Sequence, residues 1–89
     1  MLRKSIRLAH DFDDQVYRAQ LTKRELARLS GIAYQTIHAL QNPTQHPNRK
    51  GGMNPATAWK LANAFAAHCG ISPQDAYMRL IIEEILQEQ

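Results

Sequence analysis

The stretch "LTKRELARLSGIAYQTIHALQN", Leu21 to Asn42, restricts the fold of this chain more than any other. Two short segments with helical spacing of apolar residues flank one glycine, Gly31, and leave no room for a loop between them. Thr22 opens the first segment. Its hydroxyl can accept from the backbone amide of Glu25 while the Glu25 side chain reaches back, which is the S/T-x-x-E capping box. Leu26, Ala27 and Leu29 are placed inward. Gly31 supplies the positive φ that ends the helix, and Ile32 follows as the hydrophobic contact past the cap. The second segment, roughly Ala33 to Gln41, buries Ile37 and Leu40. It carries Tyr34, Gln35, His38 and Gln41 outward, where a solvated helix ordinarily carries Glu and Lys. Two helices joined so tightly cross at a large angle.

The rest of the chain also reads as helix. No alternating run bounded by turns signals a strand. Ile6, Ala9, Phe12 or Asp13, and Val16 follow three-to-four spacing, so a first helix is expected from about Ser5 to Arg18. Residues 42–54, "NPTQHPNRKGGMN", hold two prolines, two glycines and three asparagines and form a loop. Asn54 caps and Pro55 opens a fourth helix, with Ala58, Leu61, Ala62, Phe65 and Ala66 as its apolar stripe. Gly70 ends it. Ser72 and Pro73 repeat the cap-then-proline signal, and a fifth helix is expected to run to near the C-terminus. The expectation is therefore one all-α domain of five helices spanning residues 1–89.

The balance of charge is uneven. Residues 15–70 carry seven lysines and arginines against the single carboxylate of Glu25, a net +6, whereas residues 71–89 carry Arg79 against four carboxylates, a net −3. A basic middle suits a polyanion, and an acidic tail is repelled by one. The lone cysteine, Cys69, makes no internal disulfide, which fits a reducing compartment. No apolar run approaches the roughly 20 residues of a membrane span, and no apolar signal core follows the basic N-terminal residues. A cytoplasmic protein is expected. Four histidines and Cys69 show no metal-ligand spacing, and the acidic cluster Asp11, Asp13 and Asp14 has no nucleophile or histidine tied to it by spacing. No metal, no cofactor and no enzymatic activity are expected.

The tight helix pair resembles the helix-turn-helix of Cro/C1-type (XRE-like) regulators, whose pattern is L-T-x-x-x-L-A-x-x-S-G-I-x-x-x-T-I-x-x-L. The matching positions are Leu21, Thr22, Leu26, Ala27, Ser30, Gly31, Ile32, Thr36, Ile37 and Leu40. "NPATAWKLANAF" resembles the family's fourth helix through Pro55, Lys60, Leu61, Ala62, Ala64 and Phe65. The resemblance covers about residues 12 to 77. It implies a five-helix, lambda-repressor-like DNA-binding domain that binds operator DNA as a dimer. The chain departs from the pattern at Lys23, where many members carry a Gln that braces the recognition helix and touches phosphate. It departs again at Gln41-Asn42-Pro43, where members often carry Glu and then a loop glycine. The loop after the third helix is also longer than usual.

With that resemblance, the outward face of the third helix becomes a candidate for base contact in the major groove through Tyr34, Gln35, His38 and Ala39. Gln35 can pair bidentately with adenine N6 and N7. Phosphate contacts, which set register without reading sequence, are expected from Lys23, Arg24, Thr36, Asn42, Arg49 and Lys50. A merely polar helix face is the competing account of the first set, and a solvated loop of Arg49 and Lys50. Trp59 is expected in a satellite of the core against the fifth helix or the loop.

The last helix, expected over 72–89, carries more apolar residues than one stripe can bury. Met78, Ile81, Ile82, Ile85 and Leu86 are therefore candidates for a homodimer contact. The function expected is a sequence-specific, repressor-like transcriptional regulator that binds an inverted-repeat operator in double-stranded DNA. The alternative is an antitoxin or adaptor on the same fold, with a toxin or other protein as partner.

Overall fold

A computed structural model describes residues 2–41 and 53–87 of the chain. It is mostly helical with one small sheet. In order, the elements are β1 (Leu2–Leu8), α1 (Phe12–Arg18), α2 (Lys23–Ser30), α3 (Tyr34–Gln41), α4 (Pro55–Cys69), α5 (Pro73–Leu80) and β2 (Ile81–Gln87).

The helix boundaries follow local chemistry. The Thr22 hydroxyl accepts from the Glu25 amide at 3.1 Å, and the Glu25 carboxylate accepts from the Thr22 amide at 3.1 Å, so both halves of the capping box are made. Asn54 and Ser72 cap α4 and α5 in the same way, accepting from the amides of Thr57 and Asp75 at 2.8 and 3.1 Å, each with a proline at the first helical position. Gly31 ends α2 at φ +74°. A Cβ there would meet nothing within 4 Å, so glycine is required by its backbone conformation rather than by space.

The two ends of the chain are strands, which corrects the all-α expectation. β1 and β2 pair antiparallel from Leu2↔Gln87 to Leu8↔Ile81. One further bond, from the Ala9 amide to the Leu80 carbonyl at 2.7 Å, carries the ladder up to the helices. The expected first helix therefore loses Ser5–Leu8 and begins at Phe12, and the expected last helix is helical only from Pro73 to Leu80. The physical reason lies in pairing between chain ends that are far apart in sequence. Ile6 and Leu8 turn one face toward the helices while Arg7 is exposed, and the β-branched run Ile81-Ile82 favours extended backbone once a partner strand is present. Buried Ser5 is satisfied by the Arg7 Nε, which donates to its hydroxyl at 3.3 Å.

One core lies between these elements. Its largest fully buried side chains are Phe12 of α1, Leu26 of α2, Ile37 of α3, Leu61 and Phe65 of α4, and Leu80 of α5. The alanines Ala27, Ala58, Ala62, Ala66 and Ala76 are buried among them and let helices approach closely, α4 packing against both α2 and α5. Leu29, expected inward, is 49% exposed. Leu40 is only half-buried. Just before α4, the Met53 amide donates to the Ile6 carbonyl at 2.8 Å and fastens the start of that helix to β1. On the far side, Trp59 stacks on Tyr77 with ring centroids 4.4 Å apart, as the satellite reading expected. The Tyr77 hydroxyl donates to Glu83, tying α5 to β2. Partial burial and this carboxylate push the Tyr77 pKa up to about 12. No helix among the described residues is long and apolar enough to cross a membrane.

Ile81 was a candidate dimer contact; at 5% exposure beside Leu80 it belongs to the core. Ile81→Ala should therefore cost about 2–5 kcal/mol of folding stability, read from a urea midpoint at fixed slope, without changing the mass of the particle in light scattering. A loss of association with unchanged stability would show that the residue faces outward after all.

Candidate nucleic-acid interface

The link between α2 and α3 is three residues, Gly31 to Ala33. It is closed by bonds to a single carbonyl: the amides of Gly31 and Ile32 donate to Ala27 O at 3.0 and 3.2 Å. The Ser30 hydroxyl also donates to Ala27 O, at 3.2 Å, and accepts from the Ile32 amide at 3.2 Å. With Ala27 and Ile37 buried on the inner side, α3 is fixed about its own axis. The first turn of α3 begins at Ala33, whose carbonyl accepts from Thr36 and Ile37 and whose side chain has no capping oxygen.

This rotation leaves Tyr34, Gln35 and His38 exposed on one face. Three of the four candidate base contacts therefore share a surface. Ala39 does not: it is 5% exposed, so the expectation of a contact there is corrected. At about 100° per residue Ala39 lies roughly 160° around the helix from Ile37, so α3 is covered on a second side, apart from the main apolar cluster. Thr36 is half-buried beside the exposed face.

Two consecutive residues at the start of α2 hold the two ends of α3. The Arg24 guanidinium lies over the Tyr34 ring, 4.9 Å from its centroid, a cation–π contact at the first residue of α3. Lys23 Nζ donates to Gln41 Oε1 at 3.1 Å, at the last residue of α3, and lies 3.4 Å from Asp13 Oδ1. Gln41 Nε2 in turn donates to Asp13 Oδ1 at 3.0 Å. Asp13, Lys23 and Gln41 thus close a triangle that ties α1, α2 and α3 together. The Gln41 hydrogen bond, followed by the charge and hydrogen bond of Lys23, outweighs partial desolvation and holds the Asp13 carboxyl below its ordinary value.

Lys23, expected on phosphate, is thus half-buried and engaged within the protein. Arg24 is exposed and beside the Tyr34–Gln35 face. Asn42, Arg49 and Lys50 lie outside the described residues. Of the dimer candidates besides Ile81, Met78 is 78% exposed on α5 and Ile82 is half-buried on β2, while the side chains of Ile85 and Leu86 lie outside the described set. Among the described residues no cluster of three His, Cys, Asp or Glu groups is placed to hold a metal ion. The His68 ring instead lies 3.0 Å from the Ala19 carbonyl, joining α4 to the end of α1.

The triangle was missed in the sequence because its members stand 10 and 18 residues apart. Its one visible signal was Gln41, an amide at the last outward position of α3. Because the folded Asp13 pKa lies below the unfolded value of 3.8, its contribution to stability is present above that value and fades as pH falls through the folded pKa. Asp13→Asn should flatten the stability curve below about pH 4 relative to wild type, as read by urea unfolding at a series of pH values; parallel curves would remove the carboxylate from the brace. The chain matches no protein-family model, no curated protein and no solved structure.

Proposed function

We propose that this chain is a sequence-specific DNA-binding regulator of the Cro/C1 type, with α2 and α3 as its helix-turn-helix and α3 as the recognition helix. The observation that carries this reading is the shared exposed face of Tyr34, Gln35 and His38, clamped at both ends by Arg24 and Lys23. An α-helix fits the major groove of B-DNA, and an eight-residue helix presenting its first turn places two or three side chains against base edges.

In this account Gln35 reads adenine through a bidentate pair, and Tyr34 meets a thymine methyl or a phosphate. His38 contacts the next base step. Arg24 and Thr36 contact phosphate, Arg24 with its guanidinium held by the tyrosine. Lys23 acts as a brace, its charge balanced by Asp13. The regulator is a cytoplasmic homodimer binding an inverted repeat, since a single recognition helix of this size covers only a few base pairs. With Ile81 in the core, Met78, Ile82, Ile85 and Leu86 remain as the proposed contacts to the second copy. The exposed Met78 equally favours a second reading, an antitoxin or adaptor whose α5 docks a different protein. A homodimer in light scattering supports the first reading, and a stable monomer the second.

Selection of bound duplexes from a random pool tests the proposal and returns site, symmetry and half-site spacing together. In that format Gln35→Ala should relax preference at one position per half-site and cost about 1–3 kcal/mol there. Arg24→Ala should weaken all sequences by the same factor and lower the salt slope by about 0.9 per lost phosphate contact. Unchanged base preference in Gln35→Ala would sink the assignment of α3 as the reading element.

A further inference from the structure

Arg7 and His10 take no part in the face described above. They line an open groove of about 490 Å³ between the end of β1, the turn into α1, and the C-terminal half of α3. His38, Gln41, Lys23 and Asp13 complete its polar lining among the described residues. The groove is continuous with the exposed face of α3, because His38 belongs to both. Its one carboxylate, Asp13, is already neutralised by Lys23 and by the Gln41 amide. With that pair balanced, the charge presented by the described lining is that of Arg7, flanked by two imidazoles. Arg7 spends its Nε on the Ser5 hydroxyl, which fixes the base of the guanidinium and directs its outer N–H groups from an exposed position. A planar fork held in this way suits bidentate contact with a phosphate.

We infer that this groove is a phosphodiester-binding site, in which Arg7 and His10 hold the backbone of the duplex strand that runs past the C-terminal end of α3. The inference rests on the DNA-binding reading. It adds to that reading a contact from the N-terminal strand, outside the helix pair. A backbone site on this side and Arg24 on the other would grip the duplex on both flanks of the recognition helix. Phosphate contacts so spaced fix the angle at which a helix enters its groove. The shared chemistry is a phosphate oxygen, and a free phosphate is the competing source.

The test uses the full chain, with fluorescence anisotropy of a mixed-sequence duplex over a salt series, for wild type, Arg7→Gln, His10→Ala and Gln35→Ala. Arg7 and His10 are exposed, and a thermal melt of each variant checks that the fold is retained. Arg7→Gln should lose about 3.5-fold less affinity per subunit than wild type between about 50 and 200 mM salt, because each phosphate contact contributes about 0.9 to the slope. The weakening should be equal for every sequence, and His10→Ala should weaken binding in the same direction. If both groove variants keep the wild-type slope while Gln35→Ala still alters base preference, the groove assignment is wrong and the DNA reading stands. If wild type binds no duplex even at low salt, both fail. The amide NMR signals of His10 and His38 should move with duplex. Movement with inorganic phosphate and none with duplex would overturn the backbone assignment.

Discussion

The three-residue link between α2 and α3 is the constraint on which the exposed face of α3 depends. The link is short and closed onto the Ala27 carbonyl by three donors, so the start of α3 is fixed against the end of α2. Burial of Ile37 sets its rotation, and the two contacts from Lys23 and Arg24 set its pitch. Those two residues are neighbours on α2, yet they reach the last and the first residue of α3, about 10 Å apart along a helix of this length. The exposed face of α3 is thus held rigid without any side chain of that face being spent on the core.

The sheet does a different job. Pairing Leu2–Leu8 with Ile81–Gln87 brings the chain ends together, and the ladder runs directly into the helices through the bond from Ala9 to Leu80. β1 therefore fixes where α1 begins, and through α1 it fixes Asp13. The Met53 amide on Ile6 adds the start of α4 to the same strand. Closing the fold in this way places Ile81 in the core. The strand also carries Arg7 to the edge of α3, which a helical N-terminus starting at Ser5 would not have done.

Much of this was legible in the residues. Thr22 and Glu25, Gly31, Asn54 and Pro55, Gly70, and Ser72 and Pro73 are all local signals, each satisfied within a turn of itself, and each marks the boundary it announced. The apolar stripe of α4 lies inward at all five expected positions. The strands were not legible because Ile6, Ala9 and Phe12 fit a helical period as well as Ile6 and Leu8 fit an extended one. The deciding partner lies at the other end of the chain. That Tyr34, Gln35 and His38 share an exposed face was legible in a helical projection, and Ala39 was misplaced by the same projection. A short helix set against several elements buries a wider arc than one packed on a single neighbour.

Asp13 shows why long-range polar contacts escape a reading of pattern alone. In sequence it is one of three aspartates in an acidic cluster, and the economical account is a solvated helix face. In the structure its carboxylate accepts from Gln41 and faces Lys23, so it does two things at once. It anchors the far end of α3, and by being neutralised there it ceases to repel an anion from the neighbouring groove. An uncompensated carboxylate at that place would oppose a phosphate on either side of α3, with little screening over so few ångströms. Lys at residue 23 is the natural complement of an aspartate at residue 13. A neutral amide at 23 would donate a hydrogen bond to Gln41 but would leave the Asp13 charge uncompensated.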